Sequence, residues 1–541
     1  MSESVRSSRF RFTIHDRYQA ELKFSHELDP AQPRGQIFVE AFFLFPPSLD
    51  VQSATYPKEA FYQDLVAHTR YGTPVLSLAQ LLDPAEDRSP LNVLDKLRPQ
   101  LAAAGDPQAA KAAVYELRLL GCIFRARLRE GLRDALARLE REAPGAADWE
   151  AAERISTELF KFAGRILARV RELNRACREA PAGAEVLKVL EWVDEALSLQ
   201  WEGIAGKLAR TFQEAAHKKN CGAQDEGAAS WARRLAEAMR EEETYRRSTG
   251  YPARISAAHT PAAREGNEAF ITRAGHLKRF LQSVLFLSVR TRPAGQRLQQ
   301  LFFGLAAGAA MLAVLLVTWL LSEVFLLSSV PALLLGILVY AFKDRFKDWL
   351  KGYFHAKLTG WLRDREHLLK DRKGPAVVGF AREGCSFVDF ADLPPEVRAG
   401  HCRDELEARA EEDAPPTVIR YQKNLRFYTD RIFRMHRRVN AVDEIMRFSI
   451  RRFLTHMDDP QKILLAASAS GAARDDRTPH AAGIPAHKVY VVELVLRLAA
   501  SGTSSPAAQL ERFRLILTRD GILRAETGRR ERLNLTLTFA P

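Results

Sequence analysis

Cysteine is scarce in this sequence, and the five present, Cys122, Cys177, Cys221, Cys385 and Cys402, are scattered with no CxxC pair. An odd, dispersed set builds neither a disulfide framework nor a zinc knuckle, and it fits a reducing compartment. His401 and Cys402 with Cys385, and His436 with His456, match no zinc or iron spacing, so neither metal nor cofactor is expected. The signatures of common chemistry are missing too. No GxxxxGK runs into Ser or Thr, and no GxSxG, HExxH or kinase set occurs. That argues against P-loop NTPases, nucleophile-elbow hydrolases, zincins and kinases. The opening residues lack an apolar core followed by a small-residue cleavage site, so no secretory signal is expected.

Charge and apolar side chains are both plentiful. Over 541 residues, 47% hydrophobic and 27% charged side chains describe several folded domains rather than disorder. The net charge of +13 calls for an anionic partner, either nucleic acid or an anionic lipid surface.

One stretch is too apolar for water. It runs from Leu301 to Leu321, pauses at Ser322 and Glu323, and resumes from Val324 to Phe342. Each arm has roughly 20 residues, which at about 1.5 Å per residue reaches across a hydrocarbon core of about 30 Å. Lys278, Arg279, Arg290, Arg292 and Arg297 precede the stretch, and Lys343, Arg345, Lys347 and Lys351 follow it. The positive-inside rule then predicts a two-span hairpin in a cell inner membrane, with both termini cytoplasmic. Neither arm has an internal ionisable group, so a channel or transporter made by this chain alone is disfavoured. Gly304 and Gly308 form a GxxxG ridge suited to close helix packing, between subunits or between the arms.

Around this stretch the periodicities differ. Arg9 to Phe24 and Gln36 to Phe45 alternate as strands would. Three long segments then repeat apolar residues at spacings of three and four, exemplified by Leu117, Phe124 and Leu128, by Leu159, Ile166 and Val170, and by Val193, Leu197 and Leu208. They predict amphipathic helices in an antiparallel bundle, and no Glu-x-x-His pair suggests a metal site within it. The C-terminal part reads as mixed, with one or two helices over Thr417 to Met457 and terminal strands around the Asp520-Gly521 turn.

The expected fold is therefore mainly α. A two-helix transmembrane hairpin is inserted between a cytoplasmic antiparallel helical bundle and a C-terminal α+β domain, with the β-rich N- and C-termini sharing a sheet or neighbouring sheets. The boundaries are 1–85 for a β-rich segment, 86–297 for the bundle, 298–343 for the hairpin, 344–373 for a juxtamembrane helix and 374–541 for the C-terminal domain.

Arg431, Arg434, Arg437, Arg438, Arg447, Arg451 and Arg452, with Arg426, are expected on one basic helix as a contact for anionic lipid head groups or phosphate. No nucleic-acid module accompanies them, so nucleic acid is not the expected partner. The function that follows is a membrane-anchored scaffold or regulatory protein without catalysis, acting as a homo-oligomer or with another protein. The alternatives are an accessory subunit of a transport or secretion assembly, and an enzyme of unrecognised type acting on lipid-linked phosphate.

Overall fold

A computed structural model gives the architecture and describes residues 9–102, 106–139, 146–179, 183–218, 222–252, 260–293, 296–322, 330–361, 364–374, 376–398, 415–467, 481–500 and 509–527. The chain opens with β1 (Arg9–Asp16), β2 (Gln19–Glu27), β3 (Gly35–Phe45), α1 (Lys58–Asp64) and β4 (Leu65–Tyr71). Helices follow: α2 (Leu78–Leu82), α3 (Pro90–Ala102), α4 (Pro107–Leu139), α5 (Ala146–Glu179), α6 (Ala184–Lys218), α7 (Gly222–Thr249) and α8 (Pro261–Gln282). After β5 (Ser288–Pro293) come α9 (Gln296–Ser322) and α10 (Val330–Trp361), then β6 (Arg365–Lys370), β7 (Val377–Val388) and β8 (Thr417–Phe427). The last strands are β9 (Ala441–Ser449), β10 (Gln461–Ala467), β11 (Ala481–His487), β12 (Tyr490–Ala500), β13 (Gln509–Thr518) and β14 (Gly521–Thr527).

Two compact units are interleaved in sequence. The first comprises Met1–His68, Leu287–Arg434 and Glu444–Phe539, and the second Thr69–Phe286 and Met435–Asp443 together with the last two residues. The first unit is built on an eight-stranded antiparallel sheet of order β14-β13-β12-β3-β8-β7-β6-β5. The early strand β3 thus lies between β8 and β12, with Phe42 opposite both Arg420 and Val495. A continuous apolar run, Ile37 to Phe45 interrupted only by Glu40, suits such a central position, where both faces are covered. One face carries an aromatic core, where Phe43 meets Phe61 edge-on at 5.4 Å and Phe448 at 4.8 Å and Phe45 lies 5.1 Å from Phe453, and the other packs Phe42, Leu44, Val418 and Val495 against Leu393 and Val397. A further sheet has the order β1-β2-β9-β4, and β10 pairs with β11 in a two-stranded ribbon.

The second unit is the helical bundle. α4 packs on α3, α5, α6 and α8, and α6 also packs on α5 and α7. The stripe residues supply its interior, with Leu117, Phe124, Leu128, Ile166, Val170, Val193, Leu197, Leu208 and Phe212 all buried. The segment Met435–Asp443 completes this unit: Arg438 clasps Glu116 with two bonds of 2.6 and 2.5 Å, and Arg70 holds the buried Asp443 at 2.9 Å.

Several expectations are corrected. The fold is not mainly α, because among the described residues 56% are helical and 28% stranded, and an eight-stranded sheet organises the first unit. Nor do the described residues form a two-span hairpin. Of the described helices only α9, over Gln300–Leu320, is long and apolar enough to cross a membrane. α10 turns charged at Lys343, Asp344, Arg345, Lys347 and Asp348, halfway along its length. The helix expected to run on to about Leu369 stops at Trp361, and β6 begins at Arg365.

The one or two helices expected over Thr417 to Met457 are instead β8, a short helix Thr429–Met435, β9 and a 3₁₀ turn Arg451–His456. The three-to-four spacing was coincidental across four separate elements. β10 begins at Gln461, directly after Asp459-Pro460. The expected strand Leu533 to Phe539 lies outside the described residues.

Candidate functional site

α9 leaves the edge strand β5 three residues before its first turn, and α10 returns to β6, the strand paired with β5. The two helices pack side by side, and Lys351 near the end of α10 lies 5.9 Å from the ring of Phe303 near the start of α9, so they run antiparallel. Nearly all of the apolar surface of α9 faces outward, with Leu301, Leu305, Leu312, Leu316 and Trp319 each more than half exposed. A contiguous apolar surface of this kind marks contact with a membrane or another protein.

Ala306 and Ala310 are the buried small residues of α9, whereas a Cβ at Gly304 or Gly308 would meet no atom within 4 Å. The glycine ridge is therefore not what seats α9 on α10. Along α10, Phe342, Phe346, Trp349 and Tyr353 stack in succession at 6.2, 6.0 and 5.9 Å, and Lys343 caps the neighbouring Tyr340 ring at 4.0 Å. Aromatic rings interleaved with lysine are the composition of a bilayer–water boundary.

The eight arginines expected on one helix lie on five elements, Arg426 being on β8. Arg431 and Arg434 sit on the helix Thr429–Met435, where Arg431 donates to the Val377 carbonyl and Arg434 pairs with Asp430 at 2.6 Å. Arg437 and Arg438 follow in the turn, and Arg438 is spent on Glu116. Arg447, on β9, pairs with Glu21 at 2.8 Å. Arg451 and Arg452 occupy the 3₁₀ turn, the first 4.9 Å from the Tyr18 ring and the second 3.0 Å from Asp64. Arg431, Arg437 and Arg451 remain exposed and unpaired with any carboxylate among the described residues.

A polar cluster that the sequence did not announce lies on the core-facing side of the large sheet. Thr291 and His367 are directly opposed on β5 and β6, and their side chains meet at 2.9 Å through Nδ1. The imidazole Nε2 reaches Glu383 on β7 at 2.7 Å, and Glu383 also accepts from the buried Tyr421 hydroxyl at 2.7 Å. The buried Lys423 lies 3.9 Å away and bonds to Glu444. Burial pushes the Glu383 carboxyl up, but the His367 bond, the Lys423 charge and the Tyr421 hydroxyl prevail and hold it at about 2. An ionised Glu383 can only accept, so Nε2 of His367 carries a proton and, in the neutral ring, Nδ1 accepts from Thr291.

The order hydroxyl–imidazole–carboxylate resembles a nucleophile relay, with the Thr291 end exposed and the Glu383 end buried. Two further donors saturate the carboxylate, and the hydroxyl stands in a regular ladder. Nearby, Asp364 binds Lys58 at 3.1 Å, the Tyr62 hydroxyl at 2.8 Å and the Cys385 amide at 2.7 Å. Burial pushes the Cys385 thiol up to about 12, so it stays neutral and inert.

The bundle has its own polar core. Arg246, fully buried, donates to Ser198 at 2.8 Å and Glu202 at 2.5 Å. Asp194 accepts from Tyr245 at 2.6 Å and Tyr251 at 3.2 Å, and Arg171 stacks 3.5 Å over the Tyr245 ring. Burial raises the Asp194 carboxyl, against the opposing pull of Tyr245 and Arg171. Such networks fix which helix faces meet.

Among the described residues no group of three or more His, Cys, Asp or Glu could hold a metal ion. Comparison with family models, curated proteins and solved structures finds no match for this chain.

Proposed function

We propose that this protein is a membrane-anchored scaffold, held at an anionic bilayer through α9 and presenting its folded units as a platform for another protein. The observation that carries this is α9 itself. Its stretch Gln300–Leu320 has a mean hydropathy of 2.4 and is only 11% buried. At about 1.5 Å per residue the 21 residues extend about 31 Å, the thickness of a bilayer core. A soluble protein would cover such a helix with its own core. Arg290 and Arg292, which precede α9, favour the cytoplasmic face of an inner membrane for its N-terminal end, and the aromatic ladder of α10 suits a bilayer surface. Both oxygens of the Glu383 carboxylate are engaged by His367 and Tyr421, which favours a structural role for that cluster.

The test is fractionation of cells making the full chain. The wild type is expected in the membrane pellet after alkaline carbonate extraction, and Leu312→Arg with Leu316→Arg is expected to move at least half of it to the supernatant, since each arginine costs about 3 kcal/mol at mid-bilayer. Wild-type protein recovered as a detergent-free soluble monomer would reject the reading.

A further inference from the structure

On the side of the sheet opposite the Glu383 cluster, Leu393 and Val397 cover Phe42, Leu44 and Val418, whereas the end formed by β5, β6 and the adjoining parts of β7 and β8 carries exposed arginines. Directly opposed residues of antiparallel strands project to the same side. Arg290 is opposed to Leu368, Leu368 to Phe380 and Phe380 to Arg426, which makes one row across β5, β6, β7 and β8. Two residues along, a second row runs Arg292, Glu366, Arg382 and Asn424. Lys370 joins the same side opposite Ser288. This quarter of the sheet therefore displays Arg290, Arg292, Lys370, Arg382 and Arg426 against one carboxylate, Glu366.

Only Arg382 uses that carboxylate, at 2.9 Å. Arg290, Arg292, Lys370 and Arg426 have no carboxylate partner among the described residues, and the three arginines are exposed. The guanidiniums of Arg382 and Arg426 lie 5.4 and 5.7 Å from the centre of the Phe380 ring, which spaces them apart and holds them on the face. The strands that carry this charge are the roots of the apolar excursion: β5 ends at Pro293, three residues before α9, and β6 begins four residues after α10 ends.

We propose that this face, formed by Arg290, Arg292, Lys370, Arg382 and Arg426 around Phe380, binds the anionic head groups of the bilayer that α9 enters. Arginine forks pair with lipid phosphate and carboxylate, and unpaired guanidiniums give up little in doing so. A single-stranded nucleic acid would need successive free aromatic surfaces for stacking. Here Phe380 is already flanked by two arginines, and the next ring on this side, Phe38 opposite Asn424 on β3, is separated from it by β8. The proposal rests on α9 being membrane-embedded and replaces the expected arginine helix with a sheet surface formed mainly of other residues.

The experiment uses the full chain, diluted from mild detergent onto phosphatidylcholine vesicles with and without about 30% phosphatidylglycerol, and read by flotation. Wild type is expected to float with both, with an apparent affinity at least about tenfold higher on the anionic vesicles, lost as salt rises to about 0.5 M. Arg290→Glu/Arg292→Glu/Arg426→Glu should float equally with both, at the phosphatidylcholine level. The corresponding triple Gln variant, matched to wild type in its thermal unfolding, should lose most of the preference.

An anionic preference that survives in both variants overturns the assignment. So does a wild type with no preference, or a preference abolished by inorganic phosphate or by an oligouridylate that binds more tightly than the vesicles. Failure of wild type to float with phosphatidylcholine refutes the membrane reading separately, because the head-group preference is judged between the two vesicle types.

Discussion

Single side chains carry most of the selectivity in this fold, and Glu383 shows how. It is a buried carboxylate held ionised at about 2, against about 4.5 when free, by His367, Lys423 and Tyr421. The shift is downward, so its contribution to stability is complete above about pH 4.5 and disappears as pH falls through about 2. At about 1.4 kcal/mol per pH unit the contribution is on the order of 3 kcal/mol. Glu383→Gln is expected to lower the urea midpoint at neutral pH and to flatten the loss of stability between pH 4.5 and 2. A variant that keeps the wild-type acid sensitivity would show that other carboxylates dominate it. Charge on the opposite side of the same strands behaves differently, because Arg382 and Arg426 remain hydrated and free to exchange partners.

Among the elements, the β7–β8 ladder leaves no room for a side chain at Gly379. Gly379 lies opposite Phe427, and a Cβ there would stand 2.4 Å from the carbonyl oxygen of Arg426 and 3.2 Å from the Phe427 ring. The first obstacle is backbone and cannot rotate away, so β7 and β8 must separate. Gly379→Ala is therefore expected to destabilise the protein by about 1–3 kcal/mol, measured by denaturant unfolding in detergent. An unchanged midpoint would mean that the ladder yields there at no cost. α9 and α10 present the contrasting case: they lie side by side, yet only the first is apolar along a membrane-spanning length. What divides them is the run of charge from Lys343 to Asp348, which a hydrocarbon core does not accept.

For the molecule as a whole, the interleaving of the two units has a direct consequence. The large sheet places β3 between β8 and β12, so the contiguous fragment 287–539 lacks a central strand and would expose the unpaired edges of both neighbours. That fragment is expected to aggregate when made alone and to be recovered in soluble form in detergent when co-expressed with residues 1–68, with circular dichroism reporting the regained strand content. Recovery of the fragment as a folded monomer by itself would contradict the strand order. The fragment 69–286 keeps every helix from α2 to α8 and is expected to retain helical circular dichroism, although it loses the Arg438–Glu116 clasp.

The features legible in the chain were those written in near neighbours. The stripes of α4, α5 and α6 recur every three or four residues and are buried in the bundle, and Gln300–Leu320 declares its length and apolarity without reference to anything distant. The Asp520-Gly521 turn is equally local, with Gly521 at φ +132° opening β14. What could not be read depends on partners far away in sequence. Asp443 and Glu444 stand mid-strand in β9, and their counter-charges are Arg70 and Lys423, so the β9 sequence lacks a strand's alternation and reads as helix. The basic row Arg290–Phe380–Arg426 exists only because β5 to β8 pair in that register. Local periodicity specifies an element and its apolar face, whereas the pairing of strands, which brings buried charges to their partners and exposed charges together, is set by contacts across the folded chain.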